Sequence, residues 1–360
     1  MVLRPTPQPG ILHIAPYVPG KSGATGAIKL SSNESPLGAS PKAIEAYRAA
    51  AEHLEIYPEG SSRILREALG EVHGVDPERI VCGNGSDDIL HLLAQTYLGD
   101  GDDAVMSRYG FSIYPIVTQA AGARILMAEE TDYTADVDAI LASVTERTKI
   151  IWLANPNNPT GTYLSIAEVR RLHAGLRPDI LLVIDCAYAE YATADDYSVG
   201  LDLVAEAENV VMVRTFSKMG LAAVRIGWMV GPEHVVDALN RIRGPFNVNL
   251  PAQLAGAAAT RDVAFTEKLK TYNAQWRDWL TAELNSNYMQ VMPSQANFVM
   301  VLFPDAHHAS AAFAALLERG LVVREIGNSY GIANALRISI GPEQAMRGVG
   351  GILNALAEIS

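Results

Sequence analysis

The chain has 360 residues, 49% of them hydrophobic, and a formal net charge of -12 at pH 7. That length exceeds the size at which one hydrophobic core stops growing, so two lobes are expected. The acidic balance argues against sequence-independent binding to nucleic acid or anionic membrane, since both need clustered positive charge. Cys82 and Cys186 lie in apolar surroundings and offer neither a disulfide framework nor metal-ligand spacing; reduced, structural thiols are expected. The proline-rich stretch Met1 to Gly10 lacks the apolar run of a signal peptide, and no later apolar run is long enough to span a bilayer. A cytoplasmic protein is the expectation.

Met1 to Lys29 holds several prolines and glycines without periodicity, the pattern of an extended arm, and Tyr17 lies within it. A polar turn from Leu30 to Gly38, containing Asn33, precedes a helix opened by Ser40-Pro41. After the loop Tyr57-Pro58-Glu59-Gly60, a second helix runs from Ser61 toward His73 and is closed by Gly74. From Arg79 short β-like runs alternate with helical patterns. Strands are predicted at 79–82, 104–106, 124–127, 149–153, 180–184, 210–213 and 226–230, with helices at 87–98, 113–121 and 165–174. This is the signature of an α/β domain with a mostly parallel central sheet wound by helices, binding ligands at the strand carboxyl ends.

After Pro251 the pattern changes to an alanine-rich helix and then a longer polar one, from about Asp262 to Asn285. Strands at 289–292, 298–303, 321–324 and 336–340, interleaved with helices at 309–318 and 343–358, describe a smaller α+β domain. The expected division is a large domain over 30–255 and a small one combining 1–29 with 256–360. His307-His308 lacks partners at ligand spacing and reads as a solvated helix start, so no metal is expected.

Four stretches carry chemistry. Gly83-Asn84-Gly85-Ser86-Asp87-Asp88 lies between a strand and a helix, where glycines and free backbone N–H groups form an anion site, or simply a capped turn. Asp88 takes the third glycine position of a dinucleotide fingerprint, which weakens that reading. Asp185 ends the apolar run Leu181 to Ile184, where a carboxylate is costly unless paired; otherwise it caps the next turn. Lys218 stands at a strand end with Thr215 and Ser217 before it, glycines at 220 and 227, and Arg225 close behind. That set suits a phosphorylated cofactor beside an amine capable of Schiff-base chemistry, against the plain alternative of a surface lysine on a turn. Arg337 is a lone charge in the alternating run Leu336 to Ile340, with Arg324 a second, weaker candidate. A guanidinium so placed should meet a carboxylate or phosphate, unless it simply faces outward.

Read together, Asn155-Pro156-Asn157-Asn158-Pro159-Thr160-Gly161, Asp185-Cys186-Ala187-Tyr188 and the Lys218 run resemble the fold type I aminotransferases that use pyridoxal 5'-phosphate, over nearly the whole chain. Within that family the resemblance is greatest to the branch acting on histidinol phosphate. It implies that Gly85, Ser86, Asp87, Thr215, Ser217 and Arg225 hold the cofactor phosphate. Asp185 would pair with the pyridine nitrogen, Tyr188 and Asn158 with the ring oxygen, and Phe111 would stack on the ring. Where relatives often have a tyrosine at the Phe111 position, Tyr109 or Tyr114 would be the substitute phenol. Lys218 would carry the cofactor and move the proton. Tyr17, Asn33, Arg324 and Arg337 would face the substrate. Tyr57 would reach across a homodimer interface to the partner's cofactor phosphate. The implied reaction is transamination between L-histidinol phosphate and 2-oxoglutarate, with an aromatic or broad-range aminotransferase, or a decarboxylase of a phosphorylated amino acid, as alternatives. A ligand-sensing regulator would need an appended DNA-binding domain, and a nicotinamide dehydrogenase explains neither Lys218 nor the Asn158 loop.

Overall fold

A computed structural model of the chain describes residues 7–8, 10–21, 25–286 and 288–358. The first six positions of the arm lie outside the described residues.

Seven strands form the central sheet: β1 Ile80–Gly83, β2 Asp103–Ser107, β3 Arg124–Ala128, β4 Thr148–Ala154, β5 Leu181–Asp185, β6 Val210–Thr215 and β7 Gly227–Val230. Their order is β1-β7-β6-β5-β4-β2-β3. Only β7 runs against its neighbours. The inner strands are built mainly of Val, Ile, Leu and Met because helices cover both faces of the sheet. One apolar cluster includes Leu153, Leu182 and Met212. Another includes Val183, Val211 and Met229 on the opposite face.

Helix ends follow local chemistry. Ser40 caps Pro41–Ala50 by accepting from the backbone N–H groups of Lys42 and Ala43, and Gly74 closes Arg63–His73 in the left-handed conformation at φ 68°. Sequence reading left out the helix Glu233–Ile242, although its buried Val235, Val236 and Leu239 have helical spacing.

A second sheet contains β8 Gln290–Val291, β9 Phe298–Leu302, β10 Arg324–Glu325 and β11 Ala335–Ser339, in the antiparallel order β8-β9-β11-β10. The run expected as one strand over 321–324 divides in two. Leu321–Val322 pairs in parallel with Ile28–Lys29 of the arm, while Arg324–Glu325 pairs with β11. Leu30 is thereby drawn into the second core, with Trp276, Leu280 and Val349. The 22-residue helix Val263–Leu284 belongs to this core, whereas Leu250–Arg261 packs against Pro41–Ala50 and Arg63–His73. Among the described residues no helix is long and apolar enough to cross a membrane, and no group of His, Cys, Asp or Glu could hold a metal ion.

Candidate active site

The carboxyl ends of the parallel strands open into a cleft of about 530 Å³. Asp185 ends β5, Thr215 ends β6, and the turn after β6 carries Ser217 and Lys218 before returning as the antiparallel β7. This return brings Arg225 back to the edge that Lys218 occupies. It requires Gly220 at φ 84°, where a Cβ would stand 2.0 Å from the Gly38 carbonyl oxygen. Gly227 is equally constrained, since a Cβ there would lie 2.2 Å from the backbone nitrogen of Ser86.

Asp185 is only 4% exposed. Its Oδ2 accepts from the Tyr114 hydroxyl at 2.8 Å, while Oδ1 is buried without a partner. Burial pushes this carboxyl up to about 6, opposed by the bond from Tyr114. Tyr114 is fully buried and stacked on Trp152 at 5.5 Å, and the indole donates to the Thr118 hydroxyl at 3.0 Å. The expectation that Tyr114 or Tyr109 faces a substrate is corrected: Tyr114 sits behind Asp185, and Tyr109 packs on Tyr133 at 5.5 Å.

Across the cleft floor, burial and then the charge of Arg337 lower the Lys218 amine from 10.5 to about 8. Its Nζ is 5.7 Å from the centre of the Tyr188 ring. The Tyr188 hydroxyl accepts from Asn33 Nδ2 at 3.0 Å. Beneath, the Tyr191 hydroxyl donates to the Lys218 carbonyl. The amine is therefore readily deprotonated and its main chain is held.

Ser86 and Asp87 open the helix Ser86–Tyr97, whose N-cap is Gly85 at φ 86°. Thr215 donates to Ser217 Oγ at 3.0 Å, and Arg225 Nη1 donates to the same oxygen at 3.1 Å. Arg225 Nη2 lies 3.4 Å from Asp87 Oδ2. Two hydroxyls, a guanidinium and a helix N-terminus thus converge on one corner, a constellation that holds a phosphate dianion.

The opposite wall comes from the arm and the second sheet. Arg337 is 6% exposed, donating to Asn158 Oδ1 at 2.5 Å and to the Ser31 carbonyl at 2.7 Å; its Nε is buried without a partner. Since Arg337 takes the oxygen of Asn158, its amide NH₂ is the group left for a ring oxygen. Arg324 stands in register with Arg337 on the adjacent strand, yet its Nη2 donates to the Val18 carbonyl at 2.8 Å and it does not line the cleft. Tyr17 and Phe111 do line it. Tyr57 does not: it is 80% exposed and stacked on Phe246 at 4.6 Å. The structure also places Glu34 in the cleft, in a 2.8 Å pair with Lys29. Sequence reasoning passed over Glu34, Lys29 and the Tyr114–Asp185 bond. The last had a signal, because Tyr114 follows Phe111, which lines the cleft, by three residues.

The sequence matches the family described as aminotransferase class I and II over residues 25–349, and the chain belongs to that family. Its similarity is narrower than the family. The histidinol-phosphate aminotransferase of Nitrobacter winogradskyi is 57% identical over 96% of each chain, and that of Rhodopseudomonas palustris strain BisB5 is 56% identical over 95% of each. The crystal structure of the histidinol-phosphate aminotransferase of Sinorhizobium meliloti, in complex with pyridoxal-5'-phosphate, superimposes with a TM-score of 0.90 at 26% identity, covering 98% of both chains. An aspartate aminotransferase from Thermus thermophilus, with maleate, shares the fold at a TM-score of 0.79 and 24% identity, covering 92% of this chain and 91% of that one.

Proposed function

We propose that the chain is a pyridoxal 5'-phosphate-dependent transaminase that exchanges the amino group between L-histidinol phosphate and 2-oxoglutarate, running in histidine biosynthesis from imidazole-acetol phosphate and L-glutamate to L-histidinol phosphate and 2-oxoglutarate. The observation that carries this reading is the unpartnered, buried Oδ1 of Asp185 in the same cleft as the depressed Lys218 amine. A pyridinium N–H satisfies the first and an aldehyde the second. The hydroxyl and guanidinium corner at Ser217 and Arg225 fits the phosphate of the same molecule.

Bound there, pyridoxal phosphate supplies an electron sink that makes the substrate Cα–H acidic. Asp185 keeps the pyridine nitrogen protonated, and Tyr114 fixes the carboxylate that does so. Tyr188, Asn158 and Phe111 line the same cleft; the first two would donate to the ring oxygen and Phe111 would cover the ring. Lys218 would be the residue that holds the cofactor, and its amine, when free, would be the base that carries the proton from substrate Cα. Arg337 would take the phosphate of one substrate and the carboxylate of the other, beside Tyr17 on the same wall; Arg324 would join them only on giving up its bond to Val18. Asn33 ties Tyr188 to this wall.

The reading includes two lobes, 30–255 and 1–29 with 256–360, and a cytoplasmic homodimer in which Tyr57 completes the partner's phosphate site. Supporting the dimer is an exposed apolar strip of Leu54, Ile56, Tyr57 and Phe246 around the region. The free, buried cysteines suit a reducing compartment. The test is the absorbance spectrum of the purified protein with L-histidinol phosphate added. A visible cofactor band that bleaches is expected. Bleaching by phenylalanine or tyrosine alone would replace the substrate assignment with the aromatic one, and no band after adding pyridoxal phosphate would overturn the reading.

A further inference from the structure

The turn Ser31–Glu34 is fixed at three points. Arg337 holds the Ser31 carbonyl at 2.7 Å. Asn33, in the left-handed region at φ 56°, accepts from the Ser339 hydroxyl at 2.8 Å through Oδ1. Its Nδ2 donates to Tyr188 at 3.0 Å. The turn therefore spans the gap between the anion-binding arginine and the tyrosine of the cofactor floor. Glu34 is the next residue, and it lines the cleft. Its charge is felt at the Lys218 amine, which it favours in the protonated form.

The carboxylates of the cleft divide by occupation. Asp185 is bonded to Tyr114 and owed to the cofactor nitrogen, and Asp87 is bonded to Arg225. Glu34, with its side chain 45% exposed, uses Oε1 for Lys29 at 2.8 Å, and among the described residues no hydrogen bond reaches Oε2. It is the cleft carboxylate on the substrate side, beside a guanidinium whose Nε is also unpartnered. A ligand that fills both must carry an anion at one end and an N–H donor at the other. A phenyl ring, or the second carboxylate of glutamate, does not offer a donor.

We infer that Glu34 is the specificity residue for the ring of the amino donor, its free carboxylate oxygen accepting an imidazole N–H while Arg337 holds the phosphate. Lys29 fixes the carboxylate through Oε1. The inference rests on the substrate reading above. It makes discrimination between imidazole and benzenoid donors a matter of one charge-assisted hydrogen bond, to a carboxylate that a donor without such a group leaves to water.

The experiment compares the wild-type holoenzyme with Glu34→Gln, using L-histidinol phosphate, L-glutamate and L-phenylalanine as amino donors in single-turnover bleaching of the cofactor band. Expected is a loss of about tenfold to a hundredfold in kcat/KM for L-histidinol phosphate, the size of a hydrogen bond to a charged group. L-Glutamate and L-phenylalanine should stay within about twofold of wild type, which also certifies that the variant is folded and loaded. An equal loss with all three donors makes Glu34 structural and overturns the inference while leaving the substrate reading intact. Unchanged rates with all three overturn it as well. A wild-type protein that bleaches with L-glutamate and not with L-histidinol phosphate removes the substrate reading, and the inference with it.

Discussion

Asp185, Thr215 and Ser217 reach the cleft from consecutive strand ends of a single sheet, each buried and each within a few residues of the core that positions it. Arg337 reaches it by a different route. Its partners Ser31 and Asn158 are 306 and 179 positions away, and its strand belongs to the second sheet. The floor is set by local geometry, with Asp185, Thr215 and Ser217 at the ends of adjacent strands. The wall exists only when the arm, the second sheet and the Asn158 loop are all in place. We expect floor substitutions to abolish chemistry whatever the substrate, and wall substitutions to change which substrate is used.

The largest effect expected is that of Lys218→Ala, which removes both anchor and base and should lower kcat by about a thousandfold or more with every donor. Retained activity would break the comparison at its centre. Next comes Asp185→Asn, which cannot hold a pyridinium; a loss of about a hundredfold in kcat, together with weaker retention of pyridoxal phosphate on dialysis, is expected. Arg337→Lys should be milder and different in kind, raising KM for L-histidinol phosphate and L-glutamate by about tenfold because an ammonium cannot make the two-pronged contact. If it lowered kcat with KM unchanged, the wall would belong to the chemistry. The smallest effect expected of the set is that of Tyr57→Phe, a severalfold rise in the concentration of pyridoxal phosphate needed to reload the cofactor-free protein, with sedimentation still showing a dimer.

One measurement joins the two regions. In the cofactor-free protein, acylation of the Lys218 amine followed by mass spectrometry should titrate with a midpoint near 8, and Arg337→Met should move that midpoint upward, since the Arg337 charge is a lowering influence second only to burial. The sign for stability follows. The folded value lies below the ordinary 10.5, so between about 8 and 10.5 the unfolded chain binds the extra proton. This group therefore favours the folded state increasingly as pH rises through that window.

The same contrast explains what could be read from sequence. The strands of the first sheet announce themselves as apolar runs, and the residues that end them, Asp185 and Thr215, could be named at once because strand end and ligand site coincide. Arg337 was conspicuous as a charge in an apolar strand, but its partners were not, since nothing in residues 31–34 signals contact with position 337. Arg324 shows the limit from the other side: register sets it opposite Arg337, yet a hydrogen bond to Val18 turns its guanidinium to the arm. Residues 321–324 misled as a single strand because a β-rich run does not say which neighbours it will pair with.

Gly227 touches no ligand, and a survey of cleft side chains would pass it by. Any substituent there must push against the amide of Ser86, the first donor of the anion corner, and the nearest alternative contact is the Gly85 carbonyl carbon at 2.5 Å. A random-mutation screen should therefore score position 227 as sharply as an active-site residue, with variants that fold, fail to retain cofactor, and recover partly when pyridoxal phosphate is supplied in excess. The constraint on this chain thus extends one layer behind its chemistry, to a residue whose contribution at that point is the space it leaves empty.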